Sequence, residues 1–138
     1  MRSCVGTVTV RATPSRLFAL YADSAGWARW DPDIRAATLD GPFAVGSTGS
    51  ISPKQGPTTT IRLTRVVPGR AFDAEARLPG CTMRFEHELE ARGAETVVTH
   101  RVVFEGPMAW LFGRLIGAQI DKGMAGTLAG LKQAAEAA

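Results

Sequence analysis

The chain has 138 residues, 45% hydrophobic and 21% charged, the size and balance of a single globular domain over residues 1–138 with one buried core. Its net charge is only +3 and its basic residues are scattered through strand-like segments, which argues against a nucleic-acid partner. Two cysteines, Cys4 and Cys81, form no disulfide framework, no apolar run of about 18 residues offers an integral membrane segment, and the start of the chain lacks the apolar stretch of a signal peptide, so a reduced cytoplasmic setting is expected.

Residues 4–11 alternate, with Val8 and Val10 on one face and Thr7 and Thr9 on the other, and read as a strand. Thr13-Pro14-Ser15 then changes the period. Thr13 suits an N-cap and Pro14 the first helical position, so Leu17, Phe18, Leu20 and Tyr21 make a short helix. Ser24-Ala25-Gly26 breaks it, and residues 27–32 open a second short helix or turn. From Ile34 onward the pattern is strand and turn. Strands are expected over residues 34–39, 47–51, 58–67, 71–78, 82–90 and 96–104. Asp40-Gly41-Pro42, Pro68-Gly69, Pro79-Gly80 and Gly93 supply the turns between several of them. Turns about every ten residues point to an antiparallel meander.

The penultimate strand shows its two faces plainly. Arg84, Glu86, Glu88 and Glu90 point to water, and Met83, Phe85, His87 and Leu89 point inward. In the last strand the face holding Val98, His100, Val102 and Phe104 is expected to be the inner one, because the other would bury Arg101 with no evident acid partner. Both histidines of the chain then face the interior from neighbouring strands.

Residues 106–138 read as one long helix. Phe112, Ile116, Ile120, Met124, Leu128 and Leu131 recur at three- and four-residue steps and share a face, while Arg114, Asp121, Lys122, Lys132 and Glu136 lie opposite. The Ala-rich end after Lys132 is expected to fray. Gly113, Gly117, Gly123, Gly126 and Gly130 sit inside this helix, each costing on the order of 1 kcal/mol relative to Ala. Close approach of helix to sheet is one reason for them, and room for a ligand is another. Leu111, Leu115 and part of Trp110 fall on the polar side. They could meet a partner chain, such as a second copy in a homodimer, or cap the edge of the core.

The order is strand, two short helices, six strands and a long C-terminal helix. Its local marks are residues 10–14 (Val-Arg-Ala-Thr-Pro), the Trp27/Trp30 segment, residues 41–46 (Gly-Pro-Phe-Ala-Val-Gly), residues 67–70 (Val-Pro-Gly-Arg), and Thr99-His100-Arg101-Val102 running to Gly106-Pro107. With these the whole chain resembles the START-like (SRPBCC) superfamily, which includes polyketide cyclase/dehydrase-like proteins. The resemblance implies an α+β helix-grip fold: a curved antiparallel seven-stranded sheet wrapped around a long C-terminal helix, with two short helices after the first strand. It also implies a deep, mostly apolar cavity between sheet and helix. It does not imply one activity, since members bind lipids or hormones or cyclise aromatic polyketides.

Within that frame His87 and His100 are the candidates for general acid/base work, or for hydrogen bonds to a ligand oxygen; their alternative is a structural role satisfied by backbone, Thr or water. By the resemblance Trp27, Trp30 and Asp31 stand at the mouth of the cavity, where Asp31 otherwise shapes a turn before Pro32. Phe43, Phe72, Met83, Phe85, Phe104, Phe112, Ile116 and Ile120 are expected to line it, as core or as ligand contacts, and suit a flat or flexible apolar molecule. Two histidines with no HxxxH or Cys/His cluster make no metal site, and no cofactor motif is present. The expected partner is therefore a small apolar, aromatic polyketide-like or lipid-like ligand. The alternatives are a cyclase or dehydratase that uses a pocket histidine, with Asp31 or Arg101 as helper, and a partner-binding protein acting through the C-terminal helix.

Overall fold

A computed structural model describes residues 2–137. Seven strands follow the turn chemistry: β1 (Arg2–Val10), β2 (Ile34–Leu39), β3 (Thr48–Pro53), β4 (Thr59–Val67), β5 (Ala71–Leu78), β6 (Cys81–Arg92) and β7 (Glu95–Glu105). Between β1 and β2 lie α1 (Pro14–Ala22), a 3-10 turn (Ser24–Gly26) and α2 (Trp27–Trp30), and α3 (Ala109–Glu136) follows the last strand. The strands form one antiparallel sheet in the order β1-β7-β6-β5-β4-β3-β2. Strands β2 to β7 are a plain meander; β1 closes the far side by pairing with β7, from Arg2↔Phe104 to Val10↔Thr96. This is the α+β helix-grip architecture.

Local sequence sets each element. Thr13 caps α1, its hydroxyl accepting from the Arg16 N–H at 3.2 Å, with Pro14 at the first turn. The tight turn between β5 and β6 runs through Gly80, whose φ of 68° favours glycine. Leu17 and Tyr21, one helical turn apart, bury the inner face of α1. The core gathers Ile61, Leu63, Phe72, Val98 and Phe104 from the sheet and Leu128 and Leu131 from α3. The alternation in β6 and β7 is as expected: His100 faces inward, and Arg101 faces out.

Helix α3 lies on β1 and β7. Gly6 on β1 makes this possible, since a Cβ there would press on Met124 and Leu128. Two features of α3 differ from the sequence reading. It starts at Ala109, two residues after Pro107, because Gly106 takes a φ of 109° and the Met108 N–H is held by the Gly80 carbonyl at 2.9 Å. Its far end does not fray. The Arg16 guanidinium donates to the carbonyls of Ala135 (2.7 Å) and Ala137 (2.9 Å), and Glu136 accepts from the Arg11 N–H (2.8 Å) and from Lys132 (2.7 Å). A cation on the last carbonyls of a helix also suits its dipole.

The glycines of α3 serve a different neighbour from the one the sequence suggested. Gly123, Gly126 and Gly130 sit against Asp33, Pro32 and the Trp30 carbonyl, so the close approach is to the end of α2 and the loop after it. Gly113 and Gly117 are buried, and the Cys4 thiol reaches the Gly117 carbonyl at 3.5 Å.

Candidate functional site

Antiparallel register places three rings in one row across the inner face of the sheet: Phe72 on β5 opposite His87 on β6, and His87 opposite His100 on β7. Phe72 and His87 stack, with centroids 3.9 Å apart and planes within 5°. His87 meets His100 edge-on at 4.6 Å. Tyr21 descends on the row from α1 and is 1% exposed. Its ring lies 4.8 Å from Phe72 and 5.5 Å from His87, and its hydroxyl is 2.7 Å from His100 Nε2. Trp27 stacks over Phe72 at 6.0 Å and donates its indole N–H to the Tyr21 carbonyl at 2.9 Å. Phe43 closes the other side, edge-on to Phe72 at 5.1 Å and to Phe18 at 5.6 Å.

The electrostatics follow from burial. Desolvation lowers His87 from 6.5 to about 4, and lowers His100 well below its ordinary value, helped by the neighbouring His87. Both rings are neutral at pH 7. Burial pushes the Tyr21 phenol far up, so it keeps its proton. The tautomer of His87 is fixed by its partner. Its Nδ1 is 3.0 Å from the Phe72 carbonyl, which can only accept, so Nδ1 carries the hydrogen and Nε2 is a bare acceptor. Among the described residues, neither His87 Nε2 nor His100 Nδ1 has a hydrogen-bond partner.

The other sequence candidates divide by place. Trp30 is half-buried, and its Nε1 is a buried donor with no partner among the described residues. Asp31 is buried and turned to the helix: it accepts from the Asp33 N–H (3.0 Å) and from the Thr127 hydroxyl (2.9 Å), while burial raises its pKa. Met83 and Phe104 are fully packed in the core. Phe43, Phe85, Phe112, Ile116 and Ile120 pack against the core yet stay partly accessible, as do Leu39 and Ile51 on β2 and β3. Helix α3 rests on the β1 edge of the sheet, and its Phe112-Ile116-Ile120 row packs against the core there. The sequence reading left Tyr21 out of the candidate set. Its signal was the four-residue step from Leu17 in a helix already expected.

Two of the surface hollows are placed by the residues that line them. One, about 170 Å³, is lined by Leu20, Asp23, Gly26, Arg29, Trp30 and Ala134. The other, about 560 Å³, lies between the ends of β4 and β5. Of the site residues expected from sequence, Trp30 alone lines the first and none lines the second. Among the described residues no three His, Cys, Asp or Glu side chains gather as a metal site, and no helix is long and apolar enough to cross a membrane.

Residues 1–136 match the profile of a family described as polyketide cyclase/dehydrase and lipid transport. Among curated proteins none matches. Among solved structures the chain is similar to the ZhuI aromatase/cyclase of Streptomyces sp. R1128, at 18% identity and TM-score 0.77, covering 98% of this chain and 93% of that one. It is also similar to a Thermus thermophilus protein (12%, 0.77, 99% and 100%) and to the Aha1 dimer of Colwellia psychrerythraea (17%, 0.74, 99% and 97%). At such identities these likenesses establish the shared fold alone.

Proposed function

Because the chain belongs to the polyketide cyclase/dehydrase and lipid transport family, we propose that it binds a small apolar molecule, aromatic polyketide-like or lipid-like, between the sheet and α3. One observation carries this reading. Phe85, Phe112, Ile116 and Ile120 pack against the core yet stay partly accessible, and the same interior holds a row of neutral rings with two uncommitted imidazole nitrogens. Apolar walls with a few polar groups are what a ligand site needs. A ligand hydroxyl would donate to His87 Nε2. Trp27 and Trp30 lie close enough to the row to report binding by their fluorescence.

The test is titration with a naphthol and with oleate, read by tryptophan fluorescence. We expect saturable binding of at least one, abolished by Ile116→Trp, which adds bulk where α3 meets the core, with unchanged circular dichroism. Absence of saturable binding in the wild type overturns the reading.

A cyclase or dehydratase activity is the second reading, supported by the bare Nε2 of His87 as a proton acceptor and the Tyr21–His100 pair beside it. On that reading His87→Ala and His100→Ala abolish turnover of an aromatic poly-β-ketone while ligand binding survives. Variants that retain turnover exclude it.

A further inference from the structure

The ladder between β4 and β5 runs from Val67↔Ala71 to Arg62↔Glu75 and stops there. Each strand continues on its other side, β4 with β3 as far as Ile51↔Thr59 and β5 with β6 as far as Leu78↔Cys81. Leu63 exchanges its N–H and C=O with the segment before β3, so by alternation Arg62 and Thr60 turn theirs toward β5. On β5 the same alternation turns Arg77 toward β4. Thr60 and Arg77, the next pair in the ladder, are not paired, and the strands splay around a groove of about 560 Å³. Unsatisfied strand edges of this kind are hydrogen-bonding sites waiting for a partner.

The side chains around the groove have a definite chemistry. Arg62 and Arg77 both line it, against one carboxylate, Glu75. Arg77 meets Glu75 only at 3.8 Å, with its own side chain 80% exposed, and Arg62 makes no ion pair among the described residues. The groove thus carries a spare positive charge. Its remaining walls are Thr58, Thr59 and Thr60 and the apolar Pro57, Ile61 and Leu78. We propose that this groove binds the carboxylate of a small amphipathic molecule, the carboxylate held between Arg62 and Arg77 and the apolar body against Leu78 and Pro57. The planar guanidinium fork matches a carboxylate, and the free ladder groups of Thr60 and Arg77 add hydrogen bonds. The site is separate from the ring row and does not depend on it.

Amide-resolved NMR titration with octanoate tests the assignment, with octanol as the uncharged control. A second arm uses an apolar tripeptide with a free or an amidated C-terminus, to separate a free acid from a chain end. We expect saturable shifts at Thr60, Arg62 and Arg77 with octanoate or the free-acid peptide, not with octanol or the amide. Arg62→Gln combined with Arg77→Gln, both at exposed positions, should weaken binding about tenfold or more with unchanged melting. The proposal is overturned by no saturable shift, by equal binding of octanol or of the double variant, or by shifts confined to Tyr21, His87 and His100.

Discussion

His87 keeps its proton on Nδ1 because the Phe72 carbonyl can only accept, and it stays neutral because its ring is stacked and desolvated. Its stability consequence has a definite sign. The unfolded chain protonates this ring near its ordinary value of 6.5, the folded chain only near about 4. The unfolded state therefore binds more protons in that window, and stability is full above it and lost as pH falls from 6.5 toward 4. A shift of that size corresponds to on the order of 3 kcal/mol, and His100, also lowered by burial, adds to it with the same sign. Urea unfolding at pH 7.5 and at pH 5 should show the loss, and His87→Leu should flatten it; an equal slope in that variant would place the dependence elsewhere. The inward placement of both rings was legible in the alternation of their strands. Their neutrality was not, because it depends on Tyr21 and Phe72 arriving from other elements.

Helix α3 shows how glycine can be required by a neighbour's backbone. A Cβ at Gly130 would overlap the Trp30 carbonyl oxygen, whereas one at Gly126 would meet only Pro32 Cγ at 3.4 Å. Gly130→Ala should therefore destabilise, despite a helix-propensity gain of up to about 1 kcal/mol, while Gly126→Ala should gain roughly 0.5–1 kcal/mol. Thermal melts of the two variants check this, and a stabilised Gly130→Ala would refute the contact. The period of the helix was readable from its apolar residues, and so was the Thr13 cap of α1. The reason for its glycines was not, because Trp30 to Asp33 lie about ninety residues earlier in the chain. The pinned C-terminus escaped for the same cause: Arg16 sits in α1, far from the carbonyls it holds.

The outer face of the sheet binds neighbouring strands by charge as the inner face does by packing. Glu86 on β6 accepts from Arg84 (2.7 Å) and from Arg101 on β7 (2.9 Å), Arg84 also pairs with Glu105, and Arg65 on β4 pairs with Asp73 on β5 through two bonds of 3.0 and 3.2 Å. Burial pushes Glu86 up, but the two arginines outweigh it and hold it below its ordinary value. Glu86→Gln should cost roughly 1–2 kcal/mol, less in high salt, since two half-exposed arginines lose their shared partner; a chemical-denaturation series in salt measures it, and a salt-independent loss would count against an ionic cause. The absence of an acid near Arg101 had argued for its outward placement. The placement was right, but cross-strand register gives Arg101 two acids, Glu86 and Glu88, which no single strand could reveal. The fold was thus largely legible, strand by strand. The splay between β4 and β5 was hidden, because residues 58–67 read as one unbroken strand whether or not their neighbour stays beside them.

The pairing of β1 with β7 constrains how the molecule is made. The strand synthesised before the other six has no hydrogen-bonded neighbour until the strand at residues 95–105 emerges from the ribosome, and α3 must then settle across that seam. Through the making of the whole meander β1 waits as a bare edge. Acquisition of the native state is therefore deferred until that late strand is out, and nascent chains arrested before residue 105 are the ones that need shielding from one another.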